Sequence, residues 1–161
     1  MKILLAIDES EFSKAAVDTV IKEFRPADVE VHVLNVVESL RLAPPYVGLG
    51  VGPSVPADFA GIIEEWLDKA ETLVAENAKQ LESSGFRVSA SVKEGEAKRE
   101  ILEFAEEWQP DLIVVGSHGR RGLDRFLLGS VSDAVARHAH CSVQIVRPSP
   151  PAAASNAGSQ S

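Results

Sequence analysis

A single cysteine, Cys141, stands among 161 residues. No disulfide can form within the chain, and a reducing cytoplasm is the expected setting. No apolar run is long enough to span a bilayer. The N-terminus moves straight into a strand pattern where a signal peptide would carry an uninterrupted apolar core. Positive charge is scarce: 16 Lys and Arg stand against 24 Asp and Glu, a net charge of -8. That balance disfavours bulk attraction to nucleic acid or anionic membrane, so neither is expected as a partner.

Several catalytic signatures are missing as well. There is no G-x-x-x-x-G-K-[ST], which argues against a P-loop ATPase. There is no G-x-S-x-G elbow, so Ser117, His118 and Asp133 have the residue types of a hydrolase without its pattern. His138, His140 and Cys141 read as the end of a helix and the start of a strand, with no metal expected. The GLGVG stretch between Glu38 and Ala57 lacks dinucleotide-binding spacing and is broken by Pro53. Its prolines and glycines read as a long loop or lid. No internal repeat is present.

What remains is an ordinary globular composition, with 45% hydrophobic and 25% charged residues in a length suited to one domain. Lys2 to Asp8 is a short buried-strand run ending in a carboxylate. Ser10 and Ser13 are candidate caps for a helix with Ala16, Val17, Val20, Ile21 and Phe24 on its apolar stripe. Val29 to Val37 is a second strand, with Val29, Val31 and Val33 on one face and His32 structural within it. Asp58 to Ser84 is a long helix whose stripe includes Trp66, Ala70, Val74 and Leu81, and Gly85 fits its C-terminal cap. Phe86 to Val92 is a third strand. A third helix, opened by Gly95-Glu96, turns Ile101, Leu102, Ala105 and Trp108 inward and ends at Pro110. Ser142 to Val146 is a fifth strand. Residues 149–161 lack charge and periodicity and read as a disordered tail, leaving residues 1–148 as the domain.

The chain is organised around Asp111 to Ala136. Leu112 to Val115 suits a strand buried on both faces. It stops at Gly116, and a loop with Gly119, Arg120, Arg121, Gly122 and Arg125 follows. Gly129-Ser130 then leads into a fourth helix carrying Val131, Ala134, Val135 and His138 and reaching about His140. Strand, glycine-rich loop and helix start form a layout suited to phosphate, because glycines let backbone N–H groups approach an anion and a helix N-terminus offers unpaired donors. Ser130 can cap that helix or donate to a phosphate oxygen. The three arginines make a local basic turn in an acidic chain. Strand-helix alternation predicts an α/β fold, an open five-stranded parallel sheet with helices on both faces. Ligands in such folds sit beyond the carboxyl ends of strands where connections diverge, and Asp8 and Gly116 both stand at such ends.

Gly116, Gly119, Gly129 and Ser130 follow the spacing Gly, two residues, Gly, nine residues, Gly, Ser or Thr. With the Asp that closes strand one, this pattern resembles the ATP-binding branch of the universal stress protein family from Met1 to about Pro148. The resemblance implies a Rossmann-like, adenine nucleotide alpha-hydrolase-like fold that binds ATP with Mg2+. It places Asp8 near the base and ribose or the metal, and the backbone of Val36 and Val37 at adenine. Gly116 and Gly119 would border ribose and phosphates, with Arg120 beside them. Gly129, Ser130, Val131 and Ser132 would hold the phosphates. Where the family has a glycine after that Asp, this chain has Glu9, a further carboxylate near a polyanion. The implied role is a cytoplasmic regulatory protein of the stress response, dimerising through the edge strand 142–146. A slow ATP hydrolase or adenylyl transferase, and a nucleotide-free dimeric interaction module, are the alternatives on the same fold.

Overall fold

The computed structural model describes residues 1–38, 59–119 and 127–148, with residues 59 and 60 described by backbone alone. The glycine- and proline-rich loop, Arg120, Arg121, Gly122, Arg125 and the C-terminal tail lie outside the described residues. The elements run β1 (Lys2–Ala6), α1 (Glu11–Glu23), a 3-10 turn (Pro26–Asp28), β2 (Glu30–Val37), α2 (Phe59–Ser83), β3 (Arg87–Glu94), α3 (Ala97–Trp108), β4 (Leu112–Gly116), α4 (Ser130–His138) and β5 (Ser142–Val146). The strands form one five-stranded sheet in the order β3-β2-β1-β4-β5, and every neighbouring pair is parallel.

The central position of β1 explains its composition. Ile3 and Leu5 face one side, against Ala16, Val17 and Val20 of α1 and Val74 and Leu81 of α2. Leu4 and Ala6 face the other, against Ile101 and Ala105 of α3 and Val135 of α4. From Ile3 to Ala6 the strand is buried on both faces and is apolar at each position. Leu81 is fully buried, and each side chain of that size removed from water contributes about 1.5–3 kcal/mol.

The predicted boundaries move by a few residues where local bonding decides. β1 ends at Ala6, so Asp8 stands past the strand rather than closing it. Val29 ends the 3-10 turn, and β2 begins at Glu30. β3 continues to Glu94 because its pairing with β2 persists through Val37. α4 ends at His138, where the Ala139 N–H still reaches the Val135 carbonyl. His138 itself is exposed, so the inward stripe stops at Val135. Ser10 is the cap of α1, its hydroxyl accepting from the Ser13 N–H. α2 closes on Gly85 at φ 93. There the Phe86 N–H reaches the Leu81 carbonyl at 3.1 Å, and a left-handed residue at this point favours glycine. The stripe of α2 is buried at Ala70, Val74 and Leu81, whereas Ile62 is exposed and Trp66 only half-buried.

His32 is buried in β2. Its Nδ1 and Nε2 lie 2.7 and 2.8 Å from the hydroxyls of Ser89 and Ser91, and Phe104 packs over the ring at 4.4 Å between centroids. Burial pushes its pKa below 6.5; Glu30 works against that shift and Lys93 adds to it. A depressed folded-state pKa means that the unfolded chain binds the proton first as pH falls. The stabilisation is therefore present above pH 6.5 and is lost as pH falls through the folded value. The urea midpoint is expected to fall on going from neutral to mildly acidic pH, and to fall less in His32→Gln. Equal pH dependence in the two proteins would remove His32 as the cause.

Candidate functional site

β1 connects toward β2 and β3, whereas β4 and β5 lie on its other side. The chain therefore leaves the carboxyl ends of β1 and β4 in opposite directions, and a crevice must open between them. A cleft of about 530 Å³ lies there. Its floor is apolar, made by Ala6, Leu34, Val36, Ile101 and Val115, and one wall carries His118, Gly119, Gly129, Ser130 and Ser132. Asp8 and Glu38 also line it.

Asp8 is fixed by the turn that opens α1. Its Oδ1 accepts from the Ser10 N–H at 3.0 Å, from the Ser10 hydroxyl, and from the Ser13 hydroxyl at 2.7 Å. Its own N–H donates to Ser13 Oγ at 2.8 Å. Oδ2 lies toward the glycine loop: a Cβ on Gly119 would stand 2.8 Å from it. Glycine at 119 lets that loop pass directly beside the carboxylate. Asn35, buried in β2, donates to the Ile7 carbonyl at 2.7 Å and holds the backbone just before Asp8.

The motif glycines differ in what they do. Gly116 lines the cleft, but its missing side chain is demanded from behind. A Cβ there would meet Phe12 Cβ at 2.7 Å and the Phe12 carbonyl carbon at 3.0 Å. Gly129 has φ -64, a backbone open to any residue, so positive φ is not its reason. A Cβ on it would press on His118 Cα and the Ser117 carbonyl oxygen, each at 3.2 Å. That carbonyl is the clasp of the motif: it accepts from the Gly129 N–H at 2.8 Å and the Ser132 hydroxyl at 2.9 Å. The Ser117 N–H is in turn tied to the Val146 carbonyl at 2.8 Å. Start and end of the glycine motif are thereby joined across the loop between them.

The cleft brings together Asp8, Val36, Gly116, Gly119, Gly129, Ser130, Val131 and Ser132. It does not include Val37, which is buried and whose carbonyl accepts from the Gly95 N–H at 3.1 Å. Arg120 lies outside the described residues. Ser130 does not cap α4: Gly129 holds the cap position, without a side-chain bond. Ser130 is instead exposed at the first helical position. The Ser132 hydroxyl points inward, within reach of the Ser117 and Gly129 carbonyls, each at 2.9 Å. Glu9 lines a second hollow of about 520 Å³, beside Asp18, Glu76 and Gln80 between α1 and α2, which shares Asp8 and Ser13 with the cleft.

Two contributors escape sequence reasoning. Glu38, past the end of β2, accepts from the Ala97 N–H at 3.2 Å and so caps α3 from 59 residues away. Ser117 acts through its backbone, which residue type cannot reveal. Asp133 pairs with Arg137 at 2.9 Å rather than with His118, so Ser117, His118 and Asp133 are not assembled as a triad. Among the described residues no three of His, Cys, Asp and Glu gather as a metal cluster. No described helix is long and apolar enough to cross a membrane. Burial pushes the Cys141 thiol up.

The model of the universal stress protein family matches residues 1–147. The chain is similar to universal stress protein MJ0531 of Methanocaldococcus jannaschii, 35% identical over 148 residues, covering 91% of this chain and 81% of that one. Universal stress protein YxiE of Bacillus subtilis is 34% identical over 148 residues, covering 91% and 98%. Among solved structures, that of the Methanocaldococcus jannaschii protein MJ0577 superposes with a TM-score of 0.77 at 27% identity, covering 92% of this chain and 96% of that one.

Proposed function

The chain belongs to the universal stress protein family, and from that premise we propose that its cleft binds ATP, with Mg2+, as a nucleotide-dependent switch. The observation that carries this reading is the junction of the spaced-glycine motif with the N-terminus of α4 at the topological switch point. There the Ser117 clasp sets the first turn of α4 against the cleft, and such a turn presents unpaired N–H groups and a partial positive charge to an anion. The apolar floor past the end of β1 suits a base, with Val36 rather than Val37 beside it. The charged side chains among the described lining residues, Asp8 and Glu38, are both carboxylates. A polyphosphate entering beside Asp8 calls for a cation, and a carboxylate oxygen is the hard ligand that Mg2+ prefers. Mg2+ would screen the phosphates from Asp8. The test is titration of nucleotide-free protein with MgATP: saturation at one site per chain supports the reading, and the absence of binding rejects it.

In this reading, nucleotide state alters a dimer or partner surface of a cytoplasmic stress-response protein. β5 is the natural dimer element. It is an edge strand, and exposed edges are usually covered or paired. Its Val146 carbonyl is used by Ser117 on the β4 side. Backbone groups alternate sides along a strand, so the N–H of Ile145 points outward, away from β4. Proline at 145 would remove that edge donor while sparing the ladder to β4. Light scattering at micromolar concentration is expected to show a dimer for wild type and a smaller species for Ile145→Pro. A monomeric wild type would exclude the arrangement.

A further inference from the structure

The cleft changes character toward β2. The sheet runs β2-β1-β4 beneath it. Neighbouring strands lie about 4.8 Å apart, so β2 and β4 are separated by about 10 Å, a span that a nucleotide covers from phosphate to base. With phosphates at the first turn of α4, beside β4, the base lies toward β2. Among the described lining residues on β2, on α3 and just past β2, Leu34, Val36, Ala97 and Ile101 are apolar, and Glu38 alone carries a polar side chain. Leu34 and Val36 pack on the α3 side of the sheet. Side chains alternate along a strand, so Glu38 continues that face past the strand's end. Its Oε1 accepts from the Ala97 N–H at 3.2 Å, which holds the carboxylate between β2 and the start of α3. An ionised carboxylate has about four acceptor sites and no donor, so this bond leaves capacity to accept. The Val37 carbonyl does not compete, because it is turned toward the end of β3, where it accepts from the Gly95 N–H.

We propose that Glu38 is a base-specificity residue of this cleft, its carboxylate accepting a hydrogen bond from the exocyclic amino group of adenine. The assignment rests on the nucleotide reading and deepens it. An amino group buried beside the apolar floor needs an acceptor, and Glu38 supplies one already held in place by α3. A purine without that group leaves the carboxylate facing the base with nothing to accept. A site built to bond one polar group discriminates against the analogue that lacks it. Ribose and phosphates take no part in this choice.

The contact is read as a ratio of affinities, which a merely structural role would not move. Wild type and Glu38→Gln, each verified as folded by circular dichroism, are titrated with the Mg2+ complexes of three nucleotides. These are ATP, purine riboside triphosphate, in which hydrogen replaces the amino group, and 2′-deoxy-ATP. Wild type is expected to bind ATP about tenfold or more tighter than the purine analogue, the value of one hydrogen bond to a charged group. In Glu38→Gln the amide oxygen keeps the Ala97 N–H and the amide nitrogen turns to the base, so that preference should all but disappear. The ratio of ATP to 2′-deoxy-ATP affinity should be the same in both proteins. Equal losses of ATP and the purine analogue in the variant would make Glu38 only a cap of α3 and overturn the assignment. So would a wild type that binds those two alike. A preference for ATP over 2′-deoxy-ATP that vanishes in the variant would put the carboxylate at the ribose and overturn it as well. A wild type that binds none of the three would remove the nucleotide reading together with this assignment, whereas each of the other failures removes the assignment alone.

Discussion

Gly116→Val is expected to destabilise the fold by about 3 kcal/mol, with a melting temperature roughly 6–12 °C lower. Gly116 closes β4 and pairs with Val146 of β5, while the first turn of α1 crosses directly behind it. An added Cβ would stand 2.7 Å from Phe12 Cβ, 3.0 Å from the Phe12 carbonyl carbon and 3.1 Å from its oxygen. Two of those atoms are backbone, so a rotamer change cannot make room. α1 cannot easily withdraw either. Its first turn is bound to Asp8 through Ser10 and Ser13, and Ala16, Val17 and Val20 seat the helix in the core. The branches of valine enlarge the clash, and Gly116→Ala should show a smaller loss of the same sign. Urea or thermal unfolding reads the effect directly. Unchanged stability would mean that α1 and β4 can separate without cost.

Gly129→Val is expected to do its damage to binding. Any Cβ meets the Ser117 carbonyl oxygen and His118 Cα at 3.2 Å, a contact relieved by a shift of a few tenths of an ångström, and the valine branches demand more. That shift pulls on the 2.8 Å bond from the Gly129 N–H to Ser117 and turns the first N–H groups of α4 away from the cleft. Losing two hydrogen bonds to a charged phosphate would lower MgATP affinity on the order of a hundredfold or more, while overpacking costs the fold about 1–3 kcal/mol. Wild-type affinity in a folded variant would show that the first turn of α4 is not where the phosphates sit.

The parts legible in the sequence are those written in local pattern. Alternation of strand and helix, the apolar run Ile3 to Ala6 of β1 and the spacing of Ala16, Val17 and Val20 are enough to foresee a parallel sheet covered on both faces. The order of elements makes Ser142 to Val146 the last strand, the family resemblance implies that it lies at an edge, and β5 does. The motif glycines stand out, yet the reason for each does not. Gly116 answers to Phe12, a residue 104 positions earlier that only the sheet brings near, and Gly129 answers to the Ser117–His118 backbone across the loop. That Val36 lines the cleft and Val37 does not depends on where β1 ends and on the claim of Gly95 to the Val37 carbonyl, a register that local pattern leaves open. Glu9, the further carboxylate after Asp8, lines the hollow between α1 and α2 and is not among the cleft's described lining residues, a placement that residue type does not reveal. Backbone acceptors such as the Ser117 carbonyl and caps from afar such as Glu38 carry no residue-type signal at all.

ATP binding at the cleft is tested most directly by the melting temperature of nucleotide-free protein with and without MgATP. Ligand at roughly 100 times its dissociation constant stabilises a one-site protein by about 2.7 kcal/mol, which for a chain of this size raises the melting temperature by roughly 5–11 °C. A rise in that range with millimolar MgATP is the expected result; an unmoved transition, in protein shown by mass spectrometry to carry no nucleotide, would contradict it.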